Sequence, residues 1–342
     1  MKTKNYIILF LIAASFIANG QGFTSSVSKR GTSAAPFLSI GQGARAVSMG
    51  GAFVGIANDA SALYWNPAGI AELDGGNFIF DHTQWFGDIN YNFLAGTYYI
   101  DGFGTIGFSL TGSDIGDMKV TTIDEPNGTG EVFTVTDVAF SLAYALRLTD
   151  RFSIGFNPKF VYQSIWRMNA YAFAFDLGVK YVTPFDNAIL AMSVSNFGTK
   201  MQLTGNSNLV LHDLNIQSTG NNEKIPAYLE TDEWALPLSF RVGVAYNVLN
   251  TEYNKVTVAF DAIHPSDNYE SIDIGAEYAY DNFVFVRGGY KSLFLTDSEE
   301  GVTFGLGIRQ NLVNSVGLVF DYAYQDFGRL TNIQKITLGI SF

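Results

Sequence analysis

No cysteine occurs in the 342 residues, so neither a disulfide framework nor a thiolate metal site can contribute to stability or chemistry. Charge is scarce as well. Asp, Glu, Lys and Arg together reach only 15%, less than a soluble enzyme of this length usually carries. Among those charges, 20 basic side chains stand against 32 acidic ones, a formal net charge of −12. That balance excludes nucleic acid as a partner, because gripping a phosphate backbone needs concentrated Lys and Arg. With only three histidines and no thiol, a transition-metal centre lacks ligands; neither metal nor cofactor is expected. After the first twenty residues no apolar run approaches the roughly 20 residues of a spanning helix. A membrane location would therefore require a closed sheet.

What the chain has in abundance is aromatic and small: 18 Tyr, 29 Phe and 35 Gly, the composition of pleated, two-faced strands. Residues 1–20 combine Lys2 and Lys4, an apolar stretch from Tyr6 to Ala14, and the small-residue end Ala18-Asn19-Gly20. This is the layout of a secretory signal peptide, too short for an uncleaved anchor, and it predicts Gln21 as the mature N-terminus.

From residue 77 onward, large apolar side chains alternate with small or polar ones. In 170–182, Tyr171, Phe173, Phe175, Leu177, Val179 and Tyr181 oppose Ala170, Ala172, Ala174, Asp176, Gly178 and Lys180. Period two means strand. Counting such segments predicts fourteen strands, at 77–86, 91–100, 104–112, 132–148, 152–163, 170–182, 187–197, 236–248, 255–263, 271–280, 283–291, 301–310, 316–325 and 333–342. An even barrel with both termini in the periplasm alternates short inner turns with long outer loops. The connections obey that rule: Asp101-Gly102, Thr149-Asp150, 184–187 and Asp281-Asn282 are brief, whereas 113–131, 198–235 and 292–300 are long.

A soluble sandwich or lipocalin-like barrel also alternates, but it would turn the bulky face inward, and fourteen strands enclose a lumen too wide for those side chains to fill. The fold expected is all-β: a 14-stranded antiparallel transmembrane barrel with Phe, Leu and Val against the bilayer and an N-terminal hatch. Tyr98, Tyr99, Tyr278, Tyr280, Tyr322 and Tyr324 suit an interfacial girdle. The domain division is 1–20 leader, 21–76 N-terminal segment and hatch, 77–342 barrel. The closing strand alternates Ile336, Leu338 and Ile340 and stops on Phe342, similar to the signal by which outer-membrane barrels are recognised.

Residues 39–73 break the alternation. They are Gly- and Ala-rich, with Asp59 an expected N-cap for a short helix Ala60–Tyr64 and Pro67 and Gly69 supplying a turn. The segment reads as a hatch inside or beneath the barrel. The glycines at 41, 43, 50 and 51 lack any nucleotide-loop spacing or βαβ context. The hatch stretches Ala44-Arg45-Ala46, Ser48-Met49-Gly50-Gly51-Ala52-Phe53, Asp59-Ala60 and Tyr64-Trp65-Asn66-Pro67-Ala68-Gly69 resemble the PorV/PorQ family, fourteen-stranded barrels related to the FadL fatty-acid transporters. Asn-Pro-Ala alone fits the wider FadL group, and beyond the hatch the likeness is one of barrel pattern and length. The resemblance implies a non-enzymatic role in type IX secretion, with secretion-machinery proteins and the C-terminal signal domains of secreted cargo as partners. At this length the chain is nearer in size to PorQ-like members.

The long outer loop supplies apolar side chains for such a contact: Leu209, Leu211, Leu214, Ile216, Ile225, Tyr228 and Trp234. In the same loop, His212 beside Asp213 is the lone catalytic suggestion and reads better as solvated loop, since nothing fixes a dyad's geometry. His82 and His264 read as interfacial residues. Inward positions Asp137, Arg147, Lys159, Asp176, Lys180, Arg241, Asp261, Asp273, Glu277, Arg309 and Asp321 carry both signs, which points to mutual pairing and hatch contact rather than an ion-selective ring. The alternative function is FadL-like uptake of long-chain fatty acids or other hydrophobic small molecules. It would require an apolar inward cluster near the outer mouth, which the strand pattern mostly fails to provide. A lipid or detergent in the lumen is compatible with either reading.

Overall fold

The computed structural model describes residues 29–185, 188–213, 217, 224–312 and 316–342. The leader, Gln21, Leu214, Ile216, Asp186 and Asn187 lie outside them. Among the described residues, fourteen long strands run β1 Gly76–Gln84, β2 Asn90–Ile100, β3 Gly104–Asp114, β4 Val135–Thr149, β5 Phe152–Ile165, β6 Met168–Val182, β7 Ile189–Gly198, β8 Ser239–Asn250, β9 Asn254–Pro265, β10 Ser271–Tyr280, β11 Val284–Leu293, β12 Val302–Asn311, β13 Gly317–Asp326 and β14 Asn332–Ser341. Each pairs antiparallel with the next, and β1 pairs with β14 through Phe80↔Leu338 and Asp81↔Thr337. The sheet is thereby closed and has no edge. One expected strand start shifts: Val132–Phe133 pairs with Met118–Lys119 in the second outer loop, leaving β4 to begin at Val135.

Side-chain direction decides the environment. Leu142, Phe173, Phe304 and Leu338 face outward with 50 to 60% exposure, whereas Asp81, Asp176 and Asp261 are fully buried. A water-soluble protein would have the reverse arrangement; here the hydrocarbon surface meets acyl chains and the polar groups are enclosed. Spanning the hydrocarbon layer takes about 9–11 tilted residues, so β4, β5 and β6, of 15, 14 and 15 residues, stand clear of the bilayer at one end. That end carries the long loops and is the outer one. Tyr98 and Tyr280 lie exposed near the inner end, as the girdle expectation requires. Tyr99 does not join them: it falls on the lumen side of β2, its hydroxyl 3.4 Å from Asp101, because adjacent strand residues must face oppositely.

The N-terminal segment fills the lumen along its length. Ala34 N–H donates to the Ala235 carbonyl (2.8 Å), Ser33 to Asp267 (2.6 Å) and Arg30 to Asn268 and the Thr296 carbonyl; all four acceptors lie in outer loops. The other end of the segment reaches the inner rim, where Arg147 donates to the Ala71 carbonyl and Gly76 N–H to that of Phe342. The expectation of two termini on the periplasmic side thus holds for the ends of the barrel wall and fails for the start of the described chain, which emerges at the outer mouth. A plug that runs the full depth of the pore must begin opposite the end at which the wall begins.

Because the chain has no cysteine, a single introduced thiol reports sidedness cleanly. Lys29→Cys is expected to react with a membrane-impermeant maleimide in intact cells, whereas Asp101→Cys and Asp281→Cys react only after permeabilisation. Protection of Lys29→Cys in intact cells would reverse the threading.

Candidate functional site

The hatch is built from single turns rather than a domain: a 3-10 turn Pro36–Ser39, α1 Ala44–Val47, α2 Ala62–Trp65 and a 3-10 turn Pro67–Glu72. Asp59 is not the N-cap expected of it. Ser61 occupies that position before α2 and donates its N–H to Asp59 at 2.9 Å, while the other Asp59 oxygen faces Arg45 at 3.2 Å. The Asp59 carboxylate thus ties Ser61 to Arg45 instead of capping the helix. Asn66 is the cap that sequence reasoning missed. Its side chain accepts from Ala68 N–H (3.1 Å), with Pro67 at the first position of the turn, where a missing N–H costs nothing. The same fully buried amide donates to the Val54 carbonyl within the hatch and to the Val179 carbonyl on β6. The triplet Asn66-Pro67-Ala68 is thus a staple between plug and wall.

The wall is shaped to receive it. Gly155 on β5 and Gly178 on β6 are register partners, and a Cβ on Gly155 would lie 2.3 Å from the Pro67 carbonyl carbon, one on Gly178 2.0 Å from the Asn66 side-chain oxygen. Across the barrel, the paired Gly275 and Gly289 receive Met49 and Gly50 at similarly short range. Trp65, 2% exposed, donates its indole N–H to the Gln42 carbonyl at 2.7 Å and packs edge-on to Tyr64 and Phe53.

Electrostatics complete the seal. Arg45 bonds Glu277 (3.0 Å) and Asp59, and Glu277 also accepts from Arg287 (2.7 Å), which reaches Asp321 at 2.5 Å. Burial alone would lower the Arg45 pKa, but Glu277 and Asp59 more than offset it and hold the guanidinium above its ordinary value. Lys335 on β14 joins Asp81 on β1 at 2.8 Å and the Gly41 carbonyl at 2.7 Å, and Asp81 also accepts from Gly43 N–H. Lys180 pairs with Glu72, and Lys159 with Asp176. Asp261 accepts from the backbone of Phe53 and Val54, Asp273 from Ser292 N–H and Asp137 from Gln163. Arg241 stacks over Trp65, and Arg309 over Phe285. Most of these mixed-sign inward residues meet one another or the hatch; Asp137, Asp273 and Arg309 are served instead by Gln163, Ser292 and Phe285 of the wall. Asp81, Arg287 and Lys335 belong to the same set; the parity of their neighbours Phe80, Val286 and Ile336 marks them in the sequence.

Two spaces remain. On the outer side, a cavity of about 370 Å³ has Tyr64 and Trp65 at its floor and Lys159, Arg241, Asp273 and Lys291 among its lining. On the inner side, one of about 520 Å³ is bordered by Arg45, Asp59, Arg309 and Asp321. The outer loops hold the sequence-marked apolar residues and His212. Leu209, Leu211, Ile225 and Tyr228 come together in a two-stranded ribbon, whereas Trp234 pairs separately, with Met201. His212 is exposed at the ribbon's end, and His264 and His82 contact Glu270 and Asn92.

Two substitutions test the seal in planar bilayers. Arg45→Met leaves Glu277 with Arg287 alone and Asp59 with Ser61 alone, and should cost the docked hatch about 3 kcal/mol, the lower end for breaking a buried pair; Gly155→Ala should cost about 1–3 kcal/mol by overpacking against backbone. Both are expected to raise single-channel conductance and protease sensitivity of residues 35–73 while heat-modifiable migration of the barrel persists. Conductance equal to the unaltered protein in both would contradict a seal set by these contacts.

The sequence matches the family of type IX secretion system protein PorV over residues 24–264. No curated protein sequence matches it. Among solved structures, the fold is similar to the toluene transporter TbuX of Ralstonia pickettii (13% identity, 88% of this chain and 97% of that one, TM-score 0.54). It is also similar to the CymD monoaromatic hydrocarbon channel (13%, 89% and 98%, 0.55) and the Pseudomonas putida toluene transporter TodX (14%, 88% and 97%, 0.54). At such identity these likenesses establish the barrel architecture alone. A closed fourteen-stranded wall, a plug carrying the Asn66-Pro67-Ala68 staple, and a sequence match covering more than half of the chain together make this protein a member of the PorV family of type IX secretion, an outer-membrane β-barrel.

Proposed function

We propose that the protein is a non-enzymatic binding scaffold of type IX secretion. In this reading it is exported through a signal peptide cleaved after residue 20, and its outer loops engage secretion-machinery proteins and the C-terminal signal domains of secreted cargo. The observation that carries the reading is the contrast between the two ends of the molecule. The lumen is closed by a hatch whose charges are paired, as between Arg45, Glu277, Arg287 and Asp321. The outer end, by contrast, adds pairings that the barrel does not need, at 118–119 with 132–133, 201–202 with 233–234 and 209–212 with 225–228. Extra structure on the outside of a stoppered barrel supports recognition more than transit. The hatch residues Arg45, Met49, Gly50, Gly51, Asp59, Tyr64, Trp65, Asn66, Pro67, Ala68 and Gly69 keep the scaffold closed and rigid.

Uptake of long-chain fatty acids or other hydrophobic small molecules is the alternative, since the barrels of similar fold include a toluene transporter and a monoaromatic hydrocarbon channel. The outer cavity sets the charged Lys159, Arg241, Asp273 and Lys291 among the apolar Leu38, Trp65, Ile263, Leu295 and Phe327; the charges count against this alternative, since apolar ligands select sites with few polar groups. His212 and Asp213 are assigned no catalytic role.

Deleting residues 205–230 while barrel assembly is preserved should abolish secretion of signal-bearing cargo and leave uptake of labelled long-chain fatty acid unchanged. Unimpaired cargo release would remove the scaffold reading; loss of fatty-acid uptake would favour the transporter.

A further inference from the structure

The ribbon in the longest outer loop is two-faced. Its strands Leu209–His212 and Ile225–Tyr228 pair as Leu209↔Tyr228, Val210↔Ala227, Leu211↔Pro226 and His212↔Ile225. Cross-strand partners share a face, so Leu209, Leu211, Pro226 and Tyr228 form one surface. All four are exposed, Leu211 to 63% and Tyr228 to 65%. On the opposite face Val210, Ala227 and Ile225 are half-buried. The ribbon thus has one side that is half-covered apart from the exposed His212, and offers a wholly apolar quartet on the other. An isolated two-stranded ribbon is marginal in water, and an apolar face of this kind needs a cover.

The backbone edges are unequal. The hydrogen bond from Leu229 N–H to the Asn208 carbonyl (2.9 Å) fixes the ladder: 208↔229 and 210↔227 face inward, and the N–H and C=O groups of alternate residues 209, 211, 226 and 228 point away from the partner strand. Pro226 has no N–H, which blocks its edge. Leu209 N–H is taken by the Asn206 carbonyl. At Leu211 both backbone groups point outward, and among the described residues no other segment takes them up. One edge is closed by proline and the other remains a template for strand addition.

Acidic residues gather at one end of the ribbon: Glu230, Asp232 and Glu233 follow its second strand, while Lys224 and Asp213, one of each sign, stand together at the other end. Lys200 stands 4.0 Å from Glu233, with both side chains more than half exposed. The chain as a whole carries −12. A partner that covers the apolar quartet therefore meets a negative rim and must bring positive charge to its own.

We propose that the ribbon captures the signal domain of a secreted protein by strand addition along the Leu209–His212 edge, with Leu211 and Tyr228 as apolar anchors and lysine- or arginine-bearing flanks of the incoming strand set against Glu230, Asp232 and Glu233. This rests on the scaffold reading above and specifies the mode and chemistry of its contact. The quartet's face sets the register and the side-chain specificity, and the acidic rim speeds encounter.

The test is equilibrium binding of a purified cargo C-terminal signal domain to the full-length barrel in lipid nanodiscs, with heat-modifiable migration verifying each variant's fold. Leu211→Glu with Tyr228→Glu should weaken binding by roughly 30-fold or more, the scale of lost hot-spot residues. Leu211→Pro removes an outward N–H that the ribbon's own ladder does not use, and should weaken binding well beyond Leu211→Ala; equal effects would overturn strand addition. Neutralising Glu230, Asp232 and Glu233 together should slow association and flatten its salt dependence; an unchanged salt dependence would overturn the basic partner. Binding abolished by deletion of 205–230 but unaffected by the double glutamate variant would overturn the ribbon mode while leaving the scaffold reading intact. Binding unaffected by the deletion as well would overturn both. If the double glutamate variant lowers only retention on protein-free lipopolysaccharide-containing vesicles, the quartet is a lipid contact and the proposal fails.

Discussion

Everything in this barrel depends on where an enclosed charge can find its counter-charge. An inward side chain of the wall faces away from the bilayer, and at the level of the hatch it is cut off from bulk water as well, where an unpaired buried ion is costly. The structure meets this by making the plug part of the ionic lattice. Arg45 belongs to the hatch, yet its carboxylate partner Glu277 on β10 is also held by Arg287, its neighbour on β11. Lys180 of the wall finds Glu72 of the hatch, and Asp261 is served by hatch N–H groups alone among its close donors. Wall and plug are therefore not separable in energetic terms, since removing the hatch would strand charges all round the lumen.

Close approach is the second half of the same constraint. Hydrogen bonds from hatch backbone to wall carboxylates require backbones to meet with nothing between them, and glycine permits this where any Cβ would collide. Gly155 with Gly178, and Gly275 with Gly289, sit as register pairs where Asn66-Pro67 and Met49-Gly50 press against the sheet. Glycine weakens a strand interior, and the wall tolerates this because its ladder is continuous around the ring.

The outer end follows a different logic. Strands β4 to β6 continue past the depth a bilayer requires and support short pairings that bury little. Such elements are poor contributors to stability and good carriers of recognition, because loops on a rigid frame can vary without disturbing it. The stoppered lumen gives the frame its rigidity, so the seal and the display surface are two results of one packing arrangement.

Much of this was legible in the residues. Period two with bulky groups on one parity determined strand number, closure and membrane placement, because side-chain direction in a strand is locked to residue parity; the same rule, applied at Asp81, Arg287 and Lys335, would have completed the lumenal charge set. The short and long connections determined which end is outer. The break in alternation at 39–73 located the plug. Tertiary structure alone decided the partners: that Arg45 answers Glu277, 232 positions away, that Asn66 rather than Asp59 caps a turn, that the chain enters from the outer mouth, and that Leu209, Leu211, Pro226 and Tyr228 share one face. These are long-range or register-dependent facts. Local pattern specifies which way a side chain points, but what it meets depends on how far the chain has travelled before returning, and no neighbouring residue encodes that distance.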